Sequence, residues 1–206
     1  MKRILALITV ASALVLTGCS QVGSAAEVGS TKISQATVQK SIDTGLAERA
    51  KVDTSGMQLE TGAAFNRSQL RFHLISLLLA DVAAEAKITV TKAEIDSRRA
   101  QIMTQIGGVT NLPKALVGAS IASSDFDQYI NLILQSEKLA SAAVAAGVAQ
   151  ANTGAEIQKL IVAKAAALKV TINPRFGKWD PATGDIVATD AASPASTPAA
   201  TPSATK

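Results

Sequence analysis

The sequence predicts a mainly α-helical domain that is closed by short strands at its two ends, and three observations support this fold class. Residues that favour helices are abundant, while aromatic residues make up only 3% of the chain. Apolar residues recur at helical spacing between residues 35 and 168. At both ends of this region the pattern changes to short extended segments, over residues 27–33 and 169–173.

The first two predicted helices differ in how much of their surface is apolar. Ser34 is the predicted N-cap of a helix over residues 35–51, which has one apolar face. A polar loop over residues 52–64 leads to a helix over residues 65–87 that is apolar around most of its circumference. Such a helix is buried, so we expect it to be the central rod of the domain.

Two capping boxes mark the beginnings of further helices. Thr91 with Glu94 begins a helix that ends near residue 106, and Thr153 with Glu156 begins the last helix. Between these two helices we expect a short helix and a long helix, over residues 113–118 and 125–146.

After the last helix the pattern alternates between polar and apolar residues, which predicts a strand over residues 169–173 that Pro174 ends. A lone strand would leave backbone groups unpaired. We therefore expect the Val28 region to pair with the Val170 region. A turn over residues 181–184 and a short extended piece over residues 185–187 follow.

The beginning of the chain has the features of a secretory signal peptide. Lys2 and Arg3 precede an apolar run over residues 4–16, which is too short to cross a bilayer as a stable helix. The Leu-Thr-Gly-Cys sequence that ends at Cys19 resembles the lipobox of bacterial lipoproteins. That resemblance implies transfer of diacylglycerol to the Cys19 sulfur and cleavage before it, which places the protein outside the cytoplasm on the bacterial cell membrane. The alternative is an ordinary signal peptide with an incidental cysteine.

Composition divides the chain into four predicted segments: a signal peptide over residues 1–18, a tether over residues 19–26, a helical domain over residues 27–187 and a disordered tail over residues 188–206. The tail is either a solubilising extension or a spacer in the cell envelope. Removal of the signal peptide lowers the net charge from +4 to +2, and no basic cluster lies on one predicted face. We therefore expect no nucleic-acid partner.

The residues offer little for catalysis. His73, the only histidine, lies in the apolar second helix, where a core histidine with one hydrogen bond is expected. One histidine without Cys or carboxylates at ligand spacing cannot form a zinc site. No GxSxG motif and no second histidine are available for a nucleophilic triad. We expect a protein without enzymatic activity, metal or cofactor.

Three segments together resemble the N-terminal domain of the SurA family, which is related to the PrsA foldases and to trigger factor. Residues 28–34 (VGSTKIS) resemble its opening strand, turn and strand, and residues 88–95 (ITVTKAEI) resemble its extended piece before a capped helix. Residues 170–180 (VTINPRFGKWD) resemble its closing strand and are the most specific of the three.

The resemblance implies a helical chaperone domain that cradles unfolded segments of exported proteins. Many relatives also carry a parvulin prolyl isomerase domain of about 90 residues before the closing strand. No segment of that size lies there in this chain, and the paired histidines of parvulin sites are missing. Isomerase activity is therefore not carried over to this protein.

We accordingly expect a lipid-anchored holdase that binds unfolded or nascent exported proteins in an apolar groove. The candidate groove residues lie at helix ends and in loops, where ordinary core packing is the alternative: Met57, Leu59, Met103, Ile106, Leu112 and Leu116. Beside Arg175, the aromatic residues Phe176 and Trp179 either bind peptide or pack on the domain and close its edge. Two other functions stay open: a structural or adaptor lipoprotein with one specific protein partner, and an accessory of a prolyl isomerase.

Overall fold

Six helices and five short strands form the fold in the computed structural model, which describes residues 23–189. The helices are α1 Gln35–Arg49, α2 Gly62–Glu85, α3 Lys92–Gln105, α4 Leu112–Gly118, α5 Phe126–Ala145 and α6 Thr153–Leu168. The strands are β1 Ser24–Val28, β2 Thr31–Ser34, β3 Thr171–Ile172, β4 Lys178–Asp180 and β5 Asp185–Val187. The predicted mainly α fold class is confirmed. The predicted signal peptide, Cys19 and nearly all of the predicted tail lie outside the described residues.

The two ends of the domain meet in a three-stranded antiparallel sheet with the order β2-β1-β3. Ala26 faces Ile172 and Glu27 faces Thr171 in the β1–β3 pair. Next to this pair, the Asn173 side chain donates a hydrogen bond to the carbonyl oxygen of Ser24 at 3.0 Å. The predicted pairing of the Val28 and Val170 regions is therefore confirmed.

The domain begins earlier than the sequence predicts. Residues 24–26, which were assigned to the tether, form most of β1, and the exposed fraction of Ala25 is 0%. The carbonyl oxygen of Gly23 accepts a hydrogen bond from the backbone N–H of Gln35 at 2.8 Å. Small side chains are typical of linkers, but here they let a strand pack closely against the helices.

Helix α2 is the central rod, as predicted, because it packs against α1, α5, α6, β1 and β5. Leu70, Leu74 and Leu78 are completely buried within it. They belong to the main core, a cluster of 20 buried residues drawn from the sheet, α1, α2, the end of α5, α6 and the C-terminal hairpin β4–β5 with the turn before it.

A second, smaller cluster lies beside the main core, where Leu116, Phe126, Ile130 and Leu134 are buried between α4 and α5. Helix α3 packs on this cluster with half-buried side chains and contributes no buried residue. Ion pairs also join α3 to α5, including Arg98 with Glu137. The second cluster is therefore a thin apolar layer with α3 lying over it.

One of the two predicted capping boxes forms and the other does not. The Thr91 hydroxyl accepts from the backbone N–H of Glu94, and the Glu94 carboxylate accepts from the backbone N–H of Thr91. Thr153 is wrong as a cap, because it is the first residue of α6 and Asn152 occupies the cap position without a side-chain hydrogen bond. A short 3₁₀ turn over Gln150–Asn152 leads into α6, and the Thr153 hydroxyl donates to the carbonyl oxygen of Gln150 at 3.0 Å.

The C-terminal hairpin β4–β5 closes the side of the domain, with a turn over residues 181–184 as predicted. A Cβ on Gly177 would lie 2.3 Å from the carbonyl oxygen of Val187, and the φ angle of Gly177 is +131°. Only glycine fits this position without strain. No helix within residues 23–189 is both long enough and apolar enough to span a membrane.

Candidate functional site

Two adjoining apolar clefts run along α5, and together we call them the apolar groove. One cleft, of about 280 Å³, lies between α3, α4 and α5, and the other, of about 420 Å³, lies between α2, α5 and the turn after α4. Ala119 and Tyr129 line both clefts. The groove's main apolar side chains are Phe72, Ile75, Ile102, Leu112, Leu116, Ile121, Phe126, Tyr129, Leu132 and Ile133.

The turn after α4 is held in place by polar side chains from the first two helices. Ser120 has a positive φ angle of 56°, and its carbonyl oxygen accepts from the Gln69 amide at 2.9 Å. Arg49 donates to the Ser120 hydroxyl and to the carbonyl oxygen of Glu60, with its guanidinium 3.8 Å from the centre of the Phe65 ring. Burial lowers the pKa of Arg49, with the Glu60 charge acting in the opposite direction. This network fixes one wall of the apolar groove.

The predicted groove residues have different locations. Leu112 and Leu116 line the apolar groove, with Leu116 buried in its floor. Met103 is half-buried and packs against the second cluster, and Ile106 is half-buried at the C-cap of α3. Met57 and Leu59 are half-buried in the loop before α2 and are not among the residues that line the groove.

The two predicted aromatic residues near the C terminus pack on the domain. The exposed fraction of Phe176 is only 3%, and it belongs to the main core, so it offers no surface to a client. Trp179 is half-buried against the same core. The interpretation that these residues close the edge of the domain is the one that the structure supports.

Phe72, Phe126 and Tyr129 are the three aromatic residues of the groove, and the sequence patterns predict a binding role for none of them. Phe72 lies on the helix that is apolar all round, where periodicity gives no sign of which side remains partly exposed. Tyr129 lies on the predicted long helix over residues 125–146, for which no binding residue is predicted. Its mixed character was the available signal, because tyrosine carries an apolar ring with a polar tip and is enriched at binding surfaces.

A third cleft, of about 390 Å³, lies on another side of the α2–α5 pair and is also bordered by β2. We call it the polar cleft. Leu132 lines both this cleft and the apolar groove. The polar side chains of α2 and α5 that line it are His73, Ser76, Gln128, Asn131 and Gln135.

The contacts of His73, at the edge of the polar cleft, indicate a structural role and not a catalytic one. Its Nε2 lies 2.9 Å from the Ser41 hydroxyl and 3.9 Å from a carboxylate oxygen of Asp125. A catalytic triad needs serine and carboxylate at opposite ring nitrogens, whereas here both groups face Nε2 and Ser41 is only 1% exposed. The prediction of a core histidine with a hydrogen bond is confirmed.

Burial lowers the pKa of His73, while the Asp125 charge and a hydrogen bond that the ring donates to Gln128 act in the opposite direction. Burial has the largest effect, so the imidazole is neutral at pH 7. Within residues 23–189, no three His, Cys, Asp or Glu side chains are grouped as a metal site would need.

The described residues define a mainly α protein with a small antiparallel sheet and a groove along α5. Comparison with protein-family models, curated proteins and solved structures finds no match to this chain. The resemblance to the SurA N-terminal domain therefore stays a prediction that rests on the three quoted segments.

Proposed function

We propose that this protein is a chaperone that holds unfolded exported polypeptides in the apolar groove while a lipid on Cys19 anchors it outside the cytoplasm. Binding needs no chemistry and no nucleotide. A holdase that binds the unfolded state lowers the concentration of unfolded chain that is available for aggregation.

The observation that carries the proposal is the continuity of the apolar groove. Its two clefts meet at Tyr129, and most of the aromatic and aliphatic side chains in their walls are left partly exposed by the fold. The charged side chains of Glu60, Arg71 and Arg98 also line the clefts. Contiguous exposed apolar surface on a single domain is typical of an interaction site. Helix α3 forms one wall without a buried residue of its own, which suits a wall that must adjust to different clients.

The test is suppression of aggregation for several unrelated unfolded proteins, followed by light scattering. Tyr129→Ala removes the ring that both clefts share, and we expect it to weaken suppression about tenfold, as loss of a binding hot spot does. The matched control is Leu160→Ala on α6, since Leu160 is 42% exposed and lies outside the groove. We expect this control to behave like the original protein.

Two outcomes would contradict the proposal. If the protein suppresses the aggregation of no client, the adaptor hypothesis with one specific partner replaces it. If Tyr129→Ala and Leu160→Ala weaken suppression equally, clients do not bind in the apolar groove.

The anchor is tested separately by cell fractionation and by labelling with radioactive palmitate. We expect the original chain to carry label and to remain with the membranes, and the Cys19→Ser variant to lose both properties. A labelled Cys19→Ser variant would exclude lipidation at this residue.

A further inference from the structure

The polar cleft contains hydrogen-bonding groups that the fold leaves unused. Ser76 is 7% exposed, and its hydroxyl has no hydrogen-bond partner among the described residues. The hydroxyl oxygen is itself closed off from solvent, so a ligand bonds it only after the side chain rotates toward the cleft. On the facing helix, Asn131 and Gln135 are half-buried, and no hydrogen bond of their side chains is found within residues 23–189. A buried hydroxyl without a partner costs stability, so its persistence points to a ligand that supplies the partner.

The charge of the polar cleft favours an uncharged ligand. Lys32 is its one lysine, and the ammonium group lies 3.1 Å from the carboxylate of Glu27. His73 is neutral at pH 7 for the reasons given above, and no carboxylate is among the lining residues. Side-chain amides carry both donors and acceptors, which match the N–H and C=O groups of a peptide backbone.

The spacing of the two free amides also suits an extended polypeptide. Asn131 and Gln135 are one helical turn apart, which is about 6 Å along α5. Backbone groups on one edge of an extended chain repeat every two residues, or about 6.7 Å. Successive groups on one edge of a client could therefore meet these two amides, while its side chains contact the apolar lining residues Ile33, Leu77 and Leu132.

We infer that the polar cleft is a second polypeptide site, in which Ser76, Asn131 and Gln135 hydrogen-bond the backbone of an extended, uncharged segment. This inference rests on the proposed function for the nature of the ligand, but it concerns a different surface. The apolar groove selects side chains, whereas the polar cleft contacts the backbone that all clients share. Leu132 lines both the polar cleft and the apolar groove, so one client could contact both sites at this residue.

The test compares two labelled peptides, a capped decapeptide of alternating leucine and serine and the same peptide N-methylated at every residue. N-methylation removes the backbone donors on both edges and keeps the side chains. Affinity is measured by fluorescence anisotropy with residues 19–206 carrying Cys19→Ser, since the main core and the second cluster lie within residues 23–189.

Asn131→Leu should weaken binding of the unmodified peptide roughly fivefold, as the loss of one or two hydrogen bonds would. It should change binding of the N-methylated peptide by less than about twofold. The matched control is Asn66→Leu on α2, because Asn66 is also half-buried and does not line the cleft. Equal weakening of both peptides by Asn131→Leu, or no weakening of either, would overturn the inference.

Ser76→Ala gives a second test in which binding and stability should change in opposite directions. We expect peptide affinity to fall about threefold, because the hydroxyl bonds the ligand, and the melting temperature to rise, because the free domain no longer buries an unpartnered hydroxyl. A lower melting temperature with unchanged affinity would make Ser76 a structural residue and refute its role.

Tyr129→Ala separates the two proposals. If it weakens both peptides while Asn131→Leu weakens neither, the apolar groove stands and the polar cleft fails. If Asn131→Leu discriminates between the peptides while Tyr129→Ala leaves binding and aggregation suppression unchanged, the polar cleft stands and the apolar groove fails.

Discussion

The main core and the second cluster bury very different amounts of the same kinds of side chain. The main core has 20 buried residues arranged around α2, and it includes both ends of the described chain. The second cluster has four, and the helix that lies over it has none. Both regions contain similar aliphatic residues, so composition alone does not separate them.

The difference predicts that one domain combines a rigid frame, the main core around α2, with an adjustable wall, helix α3 over the second cluster. Burial on all sides fixes the side chains around α2, because each must move its neighbours before it can move. The half-buried residues between α3, α4 and α5 lack that constraint. Regions with few buried contacts open at lower free energy, and binding surfaces are commonly drawn from them.

The largest expected effect comes from the main core. Leu74→Ala should lower the free energy of unfolding by about 3 kcal/mol, because it leaves a cavity in a completely buried site. Leu112→Ala, at the half-buried wall of the groove, should cost less than about 1 kcal/mol. Urea unfolding measures both, and equal costs would remove the distinction between frame and wall.

Gly177→Ala should have the next largest effect, at roughly 2 kcal/mol or more, because a Cβ there meets the Val187 carbonyl and the φ angle is unfavourable. Gly56→Ala is the matched control, since Gly56 also has a positive φ angle but nothing lies within 4 Å of its Cβ position. Thermal unfolding should show a larger loss for Gly177→Ala. Equal losses of stability in the two variants would mean that close packing of Gly177 in the C-terminal hairpin does not stabilise the domain.

Thr91→Ala should lower stability by about 1 kcal/mol, because it removes the hydroxyl that caps α3. Hydrogen exchange should become faster in α3 and remain unchanged in α2. Faster exchange throughout both helices would show that α3 does not open independently of the frame.

The smallest effect is a dependence on pH at His73. Its pKa is lowered in the folded state, so as pH falls below the unfolded value of about 6.5 the unfolded chain binds a proton before the folded chain does. The original protein should therefore lose stability between pH 7 and pH 5, and His73→Gln should lose less. Melting temperatures at both pH values decide this, with pH 8 as the reference.

Sequence patterns predicted the frame better than the groove. The predicted pairing of the chain ends followed from the rule that a lone strand would leave its backbone hydrogen-bonding groups unpaired. The predicted Thr91 cap followed from the spacing of Thr91 and Glu94, which are three residues apart. The same three-residue signal misplaced Thr153, because a 3₁₀ turn before α6 moved the start of the helix by one residue. A capping pattern within one segment does not reveal the conformation of the segment before it.

The groove could be predicted only in part. Leu112 and Leu116 were predicted from their position outside the central rod, and they line the groove. Phe176 was predicted as part of an aromatic cluster beside Arg175, and it is buried in the main core instead. Whether an aromatic side chain is covered depends on how helices from distant parts of the chain meet. No spacing within one segment records that arrangement.

The early start of β1 determines how far the domain could travel if Cys19 carries a lipid. Only residues 20–23 separate Cys19 from the first strand, and four extended residues span about 14 Å. A connection of that length is less than half as long as helix α2, whose 24 residues span about 36 Å. If the proposed function also holds, clients would then be bound close to the bilayer surface and not in the open space beyond it.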